Sequence, residues 1–153
     1  MTETACEVWF YHLERTSLDQ ILPDLLEKTL ARGWKALIRS NSADRIEQLD
    51  GLLWSYRDDS FLPHGVSPEP SAQRQPILLT MDMTNVNGAD ALFLLDGAEP
   101  GDLSHHTRCI LIFDGRDPEA LATARVRWSQ LRSSGCPVAY WRQGETRGWE
   151  RQA

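Results

Sequence analysis

Four histidines, three cysteines and two acids at the ends of apolar runs are the groups in this 153-residue chain best suited to metal binding or catalysis. The histidines are His12, His64, His105 and His106. The adjacent pair His105-His106 suggests a metal at first sight. Neighbours on an extended chain point to opposite sides, however, and no Cys or acid flanks them at ligand spacing, so no metal site is expected. Asp96 and Asp114 each close an apolar run, the place where α/β active sites often lie. Strand-end acids also cap helices and form turns, and that structural role is favoured here. No nucleophile–base pair stands out. Tyr11-His12-Leu13-Glu14-Arg15 occupies the position where a Gly-rich dinucleotide fingerprint would follow a first strand. No GxxxxGK[ST] phosphate loop occurs either, and no cofactor is implied. Cys6, Cys109 and Cys136 are odd in number and lack metal-ligand spacing. Cys6 and Cys109 sit in apolar runs, which makes buried free thiols the expectation.

Two constellations look more like recognition than catalysis. The first is Leu49-Asp50 with Leu53-Trp54, followed by Ser60-Phe61-Leu62-Pro63-His64. Its large apolar groups either anchor a proline-rich loop on the core, or leave Trp54, Phe61 and Pro63 as an exposed platform for a partner. The second is the segment with Arg125, Arg127, Trp128 and Arg132. At 100° per residue, Ala120, Leu121, Ala124, Trp128 and Leu131 form one apolar stripe. Arg125 and Arg132 fall two turns apart on the side nearest Trp128, with Ser129 beside them and Arg127 at the opposite edge. A basic pair bordering an aromatic ring can hold a peptide with carboxylates and an apolar terminus.

Alternating elements must position these groups. Glu7–Tyr11 reads as a strand, and Ser17 caps a helical pattern that stops at Gly33, with Pro23 in conflict inside it. Trp34–Ser40 reads as a second strand, and a helix capped by Asn41 or Ser42 runs to about Trp54. Residues 55–76 hold four prolines and break the rhythm; ordered loops of that length are usually functional. Continuous apolar runs at 77–80, 91–95 and 109–113 suit strands covered on both faces. A helix from Asp117 to about Arg132 and a short strand at 137–141 complete the pattern. The order points to an α/β fold, a three-layer sandwich with a mostly parallel central sheet. One domain over 1–142 is expected, with 143–153 as a tail.

Composition narrows the function classes. The 41% apolar content and six Trp support a globular core. A net charge of −6 argues against broad coating of nucleic acid or membrane. The charge is uneven: residues 1–115 carry nine Lys+Arg against eighteen Asp+Glu, whereas 116–153 carry seven Arg against four acids. That basic end suits an acidic partner. Without a signal-like or membrane-length apolar run, a reducing cytoplasmic location is expected.

Together these features resemble the chi subunit of bacterial DNA polymerase III. The specific part is "LDGLLWSYRDDSFLPHG", residues 49–65, with a Leu-x-x-x-Leu-Trp helix end before a Ser-Phe-x-Pro-His loop. The resemblance implies a nucleotide-binding-like fold without a nucleotide site and no intrinsic catalysis. It implies an adaptor that links the clamp loader to single-stranded DNA-binding protein by gripping the acidic, apolar-ended C-terminal tail of that protein. Arg125 and Trp128 match the family's tail-binding positions, with Arg132 close by, while Leu121 and Ser129 stand where Lys can occur. Trp54, Phe61, Pro63 and His64 match the region that contacts the small psi subunit, a surface that a substitute such as a helicase could also use. DNA would be met only indirectly. The runner-up readings are an α/β enzyme using Asp96, Asp114 and the histidine pair, or a direct single-stranded nucleic-acid binder using Arg and Trp near the C-terminus.

Overall fold

The protein was analysed as a computed structural model describing residues 6–55, 64–66, 74–81, 87–101, 103–104, 106–143 and 149–152. The described elements are β1 (Glu7–Leu13), α1 (Leu18–Ala31), β2 (Ala36–Ser40), α2 (Ala43–Ser55), β3 (Gly65–Val66) and β4 (Ile77–Thr80). They continue as β5 (Ala91–Leu95), β6 (Arg108–Asp114), α3 (Pro118–Ser133), β7 (Val138–Gln143) and β8 (Trp149–Arg151). The strands form one sheet in the order β3-β4-β2-β5-β6-β1-β7-β8. Neighbours are parallel up to β7, and β8 alone pairs antiparallel, on the outside of β7.

The runs lacking polar alternation are the central strands: every residue of β2, β4 and β5 is buried. One sheet face, with Tyr11, Leu13, Ile38, Phe93, Ile110 and Ile112, packs against Leu22 and Leu26 of α1 and Ile46, Leu49 and Leu53 of α2. The other, with Phe10, Leu92, Leu111 and Phe113, packs against Ala124 and Leu131 of α3. Helices therefore cover both faces, and the expected three-layer α/β sandwich is the observed fold. The Ala120–Leu121–Ala124–Trp128–Leu131 stripe is the buried side of α3.

Local signals explain the helix ends. Ser17 N–H donates to Gln20 Oε1 at 2.9 Å, Arg45 N–H donates to Ser42 Oγ at 3.2 Å, and Glu119 N–H donates to Asp117 Oδ1 at 3.0 Å. Gly135, with φ +89°, turns the chain out of α3. Pro23 neither ends nor delays α1, which runs through it; the ring is buried, and its missing N–H costs one bond early in the helix.

Two differences from the sequence reading concern the edges. Within the proline-rich stretch, Gly65–Val66 pairs with Leu78–Leu79 as an edge strand. The expected tail from 143 contains β8, held by pairing of Gln143 with Trp149 and by the Trp149 ring against Tyr11 at 4.7 Å. The sheet therefore extends past residue 142.

The connection β1-α1-β2 runs to one side of the sheet and β6-α3-β7 to the other, on opposite faces. The chain thus reverses its winding around β6 and β1, and a crevice opens at their carboxyl ends.

Candidate functional site

On α3 the sheet-facing stripe leaves Trp128 half-buried, edge-on to Phe10 at 5.4 Å and to Tyr140 at 5.7 Å. Trp128, Ser129, Arg132 and Ser133 line a shallow depression on the outer side of the helix. Arg125 is exposed one turn away, and its charge reaches Tyr140 and His12. The fold thus brings Arg125, Trp128, Ser129 and Arg132 together on one helix face. Neither Arg125 nor Arg132 forms an ion pair or side-chain hydrogen bond among the described residues. Arg127 is on the opposite edge, where Nη2 donates to Gly97 O at 3.3 Å.

Three further groups border this face from the sheet. Tyr140 stacks on Phe10, and its hydroxyl shares a hydrogen bond with His12 Nδ1. His12 Nε2 lies 3.3 Å from Glu14 Oε1, and the same oxygen accepts from Arg142 Nη2 at 2.6 Å. Burial lowers the His12 pKa and raises that of Tyr140, while the hydrogen bond from Arg142 holds the Glu14 carboxyl below its ordinary value. Sequence reading did not connect these residues. The signal available was the alternation of β1, which puts Phe10 and His12 on one side, and of β7, which does the same for Tyr140 and Arg142.

At the end of α2, Leu49 and Leu53 are buried while Trp54 is 61% exposed. Its ring meets His64 at 5.2 Å, and His64 Nε2 bonds Asp50 Oδ1 at 2.8 Å. Trp54 is therefore a surface group and His64 a buried anchor. Phe61 and Pro63 lie outside the described residues.

The crevice at the strand ends has a volume of about 620 Å³ and gathers Asp96, Asp114, Asp19, Arg45 and Arg116. Asp96 has φ +55°, and its carboxylate accepts from Ser40 Oγ at 2.7 Å and from Arg45 Nε at 3.1 Å. Asp114 accepts from Arg116 Nε at 2.9 Å, which lowers its pKa. Each acid is ion-paired with a neighbouring arginine, and among the described residues no histidine lines the crevice. His106 is buried, with Nδ1 on Ala89 O at 2.9 Å, and His105 lies outside the described residues. No cluster of His, Cys, Asp and Glu among the described residues has the arrangement of a metal site.

The fold and its surfaces define a doubly wound α/β domain whose strand-end crevice is lined by internal ion pairs and in which, among the described residues, Arg125 and Arg132 on α3 have no carboxylate partner. The chain belongs to the DNA polymerase III chi subunit (HolC) family, whose model matches residues 6–139. It is 29% identical over 120 residues to the DNA polymerase III subunit chi of Haemophilus influenzae, covering 78% of this chain and 83% of that protein. Identity is 27% over 120 residues to that of Pseudomonas aeruginosa, covering 78% and 82%. The probable chi subunit of Rickettsia prowazekii is 26% identical over 103 residues, 67% of this chain, and the match spans only 62% of that protein's length. Membership sets the chain in DNA replication, in assembly with other polymerase subunits. No described helix is long and apolar enough to cross a membrane.

Proposed function

We propose that the protein is a non-catalytic adaptor that links the clamp-loader assembly to single-stranded DNA-binding protein, gripping that protein's acidic C-terminal tail on α3. One observation carries the reading. Arg125 and Arg132, without carboxylate partners among the described residues, flank a half-buried Trp128 beside a depression, on a chain of net charge −6. Guanidinium groups supply charge-assisted hydrogen bonds to carboxylates, and the depression beside the indole takes an apolar terminus. Ser129 lines the same depression and offers a hydroxyl where a longer cation would add charge.

Trp54 supports a second contact. A large exposed ring held against a buried His64 is a preorganised anchor, suited to the psi subunit or to a substitute such as a helicase. Phe61 and Pro63 extend that proposed surface by their position in sequence. The protein acts in the cytoplasm and meets DNA only through its partners. Both the enzyme reading and the direct nucleic-acid reading are less favoured. The strand-end acids are paired with Arg45 and Arg116, and the α3 cations stand beside an aromatic depression rather than along a continuous basic track.

The test is a calorimetric titration with a peptide of the C-terminal sequence of the cognate single-stranded DNA-binding protein. Saturable binding that Arg125→Glu and Trp128→Ala each weaken supports the site. Binding unchanged by both substitutions overturns it.

A further inference from the structure

His12 is a buried polar group bonded to Tyr140 beside the α3 face, and its surroundings determine the direction of the Tyr140 hydroxyl. The groups facing it are Glu14 on its own strand, Tyr140 and Arg142 on β7, Arg125 on α3 and Asp114 at the end of β6. Phe113, at 5.0 Å, and Gly115 close the remaining sides. Neutral imidazole carries one N–H. Glu14 Oε1 lies 3.3 Å from Nε2 without the alignment of a hydrogen bond, and its negative charge favours a proton on Nε2 over a lone pair there. Electrostatics therefore select the Nε2–H tautomer, and the Tyr140 hydroxyl must donate to Nδ1. In that state the phenol oxygen presents only lone pairs outward.

Protonation reverses the bond. With Nδ1 also protonated, His12 donates to the Tyr140 oxygen, and the hydroxyl hydrogen is released to point elsewhere. The Tyr140 ring is half-buried, edge-on to Trp128 and within the field of Arg125. A hydroxyl turned outward there becomes a donor beside the proposed carboxylate site. We propose that His12 is a positioning residue for that site: uptake of one proton from solvent on Nδ1 makes the Tyr140 oxygen accept from His12 and frees the hydroxyl hydrogen to donate toward the site, so that acidic-peptide binding is coupled to protonation. The inference rests on the α3 tail-binding reading.

The coupling has a definite sign. Burial favours neutral His12 in the free protein, and a bound carboxylate favours the cation, so affinity rises as pH falls. For one linked proton the rise is at most about tenfold per pH unit. The experiment measures affinity for the same tail peptide from about pH 8 to about pH 6, above the carboxylate range. The wild-type chain is compared with Tyr140→Phe, and the His12 imidazole resonances are followed with and without peptide. Several-fold tighter binding at the lower pH, a flattened profile in Tyr140→Phe, and an upward shift of the His12 titration on binding are expected. Binding with the same pH profile in both proteins, or a His12 titration unmoved by peptide, overturns the inference and leaves the α3 site standing. Failure of the peptide to bind at any pH overturns that site, and this inference with it.

Discussion

The imidazole of His12 occupies the space that a side chain at position 115 would need: a Cβ built on Gly115 falls 1.8 Å from His12 Nε2. Gly115 follows β6 directly and its N–H donates to Leu13 O at 2.8 Å, so the backbone cannot easily retreat. Gly115→Ala must displace a buried ring that also contacts Phe113 and Tyr140. A destabilisation of about 1–3 kcal/mol is expected, as for overpacked cores. Denaturant unfolding measures it, and a change below about 0.5 kcal/mol would show that the ring moves at little cost.

The same ring predicts a pH dependence of stability. Burial places the folded-state pKa of His12 below the ordinary 6.5, so the unfolded chain binds the proton more readily. The resulting stability is complete above about pH 6.5 and is lost as pH falls through the lower folded value. His12→Gln removes that component, and its stability should fall less than the wild type's between about pH 7 and about pH 5. Parallel stability curves for the two proteins in that range would contradict the assignment.

Much of this arrangement was legible only in part. The α3 stripe and the Ser42 and Asp117 caps depend on residues within a few positions of one another, so spacing reveals them. The absence of polar alternation in Ile77–Thr80 and Ala91–Leu95 revealed strands covered on both faces, but not their order in the sheet. The His12–Tyr140 bond spans 128 residues of sequence and depends on β7 inserting beside β1. β8 was missed for a similar reason: a three-residue strand is defined by its pairing, and Trp149 finds Tyr11 only after β7 is placed. For Trp54 the sequence left two readings, because helix periodicity near the last turn does not say whether the sheet edge reaches that ring.

Arg39 offers a sharper stability test. It is 2% exposed on the central strand β2, and Nη1 donates to the carbonyls of Glu99 at 3.0 Å and Pro100 at 3.1 Å. Burial lowers its pKa, yet it remains charged. Arg39→Ala leaves both carbonyls short of a donor and opens a cavity under the 98–101 segment, at a cost of about 2–5 kcal/mol. Arg39→Met fills most of the volume and should recover part of the loss. Equal destabilisation by both would assign the effect to the hydrogen bonds rather than the cavity.

Trp54→Ala separates surface from core. A ring 61% exposed contributes little apolar burial, so the melting temperature should move by only a few degrees. If Trp54 anchors a polymerase subunit, pull-down of that subunit should fall sharply, by about tenfold or more for a central anchor. Loss of binding with the stability retained supports the platform. A large drop in stability would instead make Trp54 part of the fold.

The three thiols give a chemical readout of the same sheet. β1 and β6 pair with Val8 opposite Cys109, and β1 and β7 pair with Val8 opposite Val138, which brings Cys6, Cys109 and Cys136 to one end of neighbouring strands under α3. Burial first, then the nearby Cys136 and Glu7, pushes the Cys6 thiol up to about 12, and burial raises Cys109 as well. Thiolates, not thiols, attack disulfide reagents, so both should be inert in the folded protein. Cys136 is only partly buried and should react. Ellman titration of the native chain is expected to release one equivalent quickly and all three in denaturant. Rapid native labelling of Cys6 or Cys109 would mean that the α3 side of the sheet opens on the time scale of the reagent. The packing of Trp128 on Phe10 would then have to be a transient state rather than the resting one.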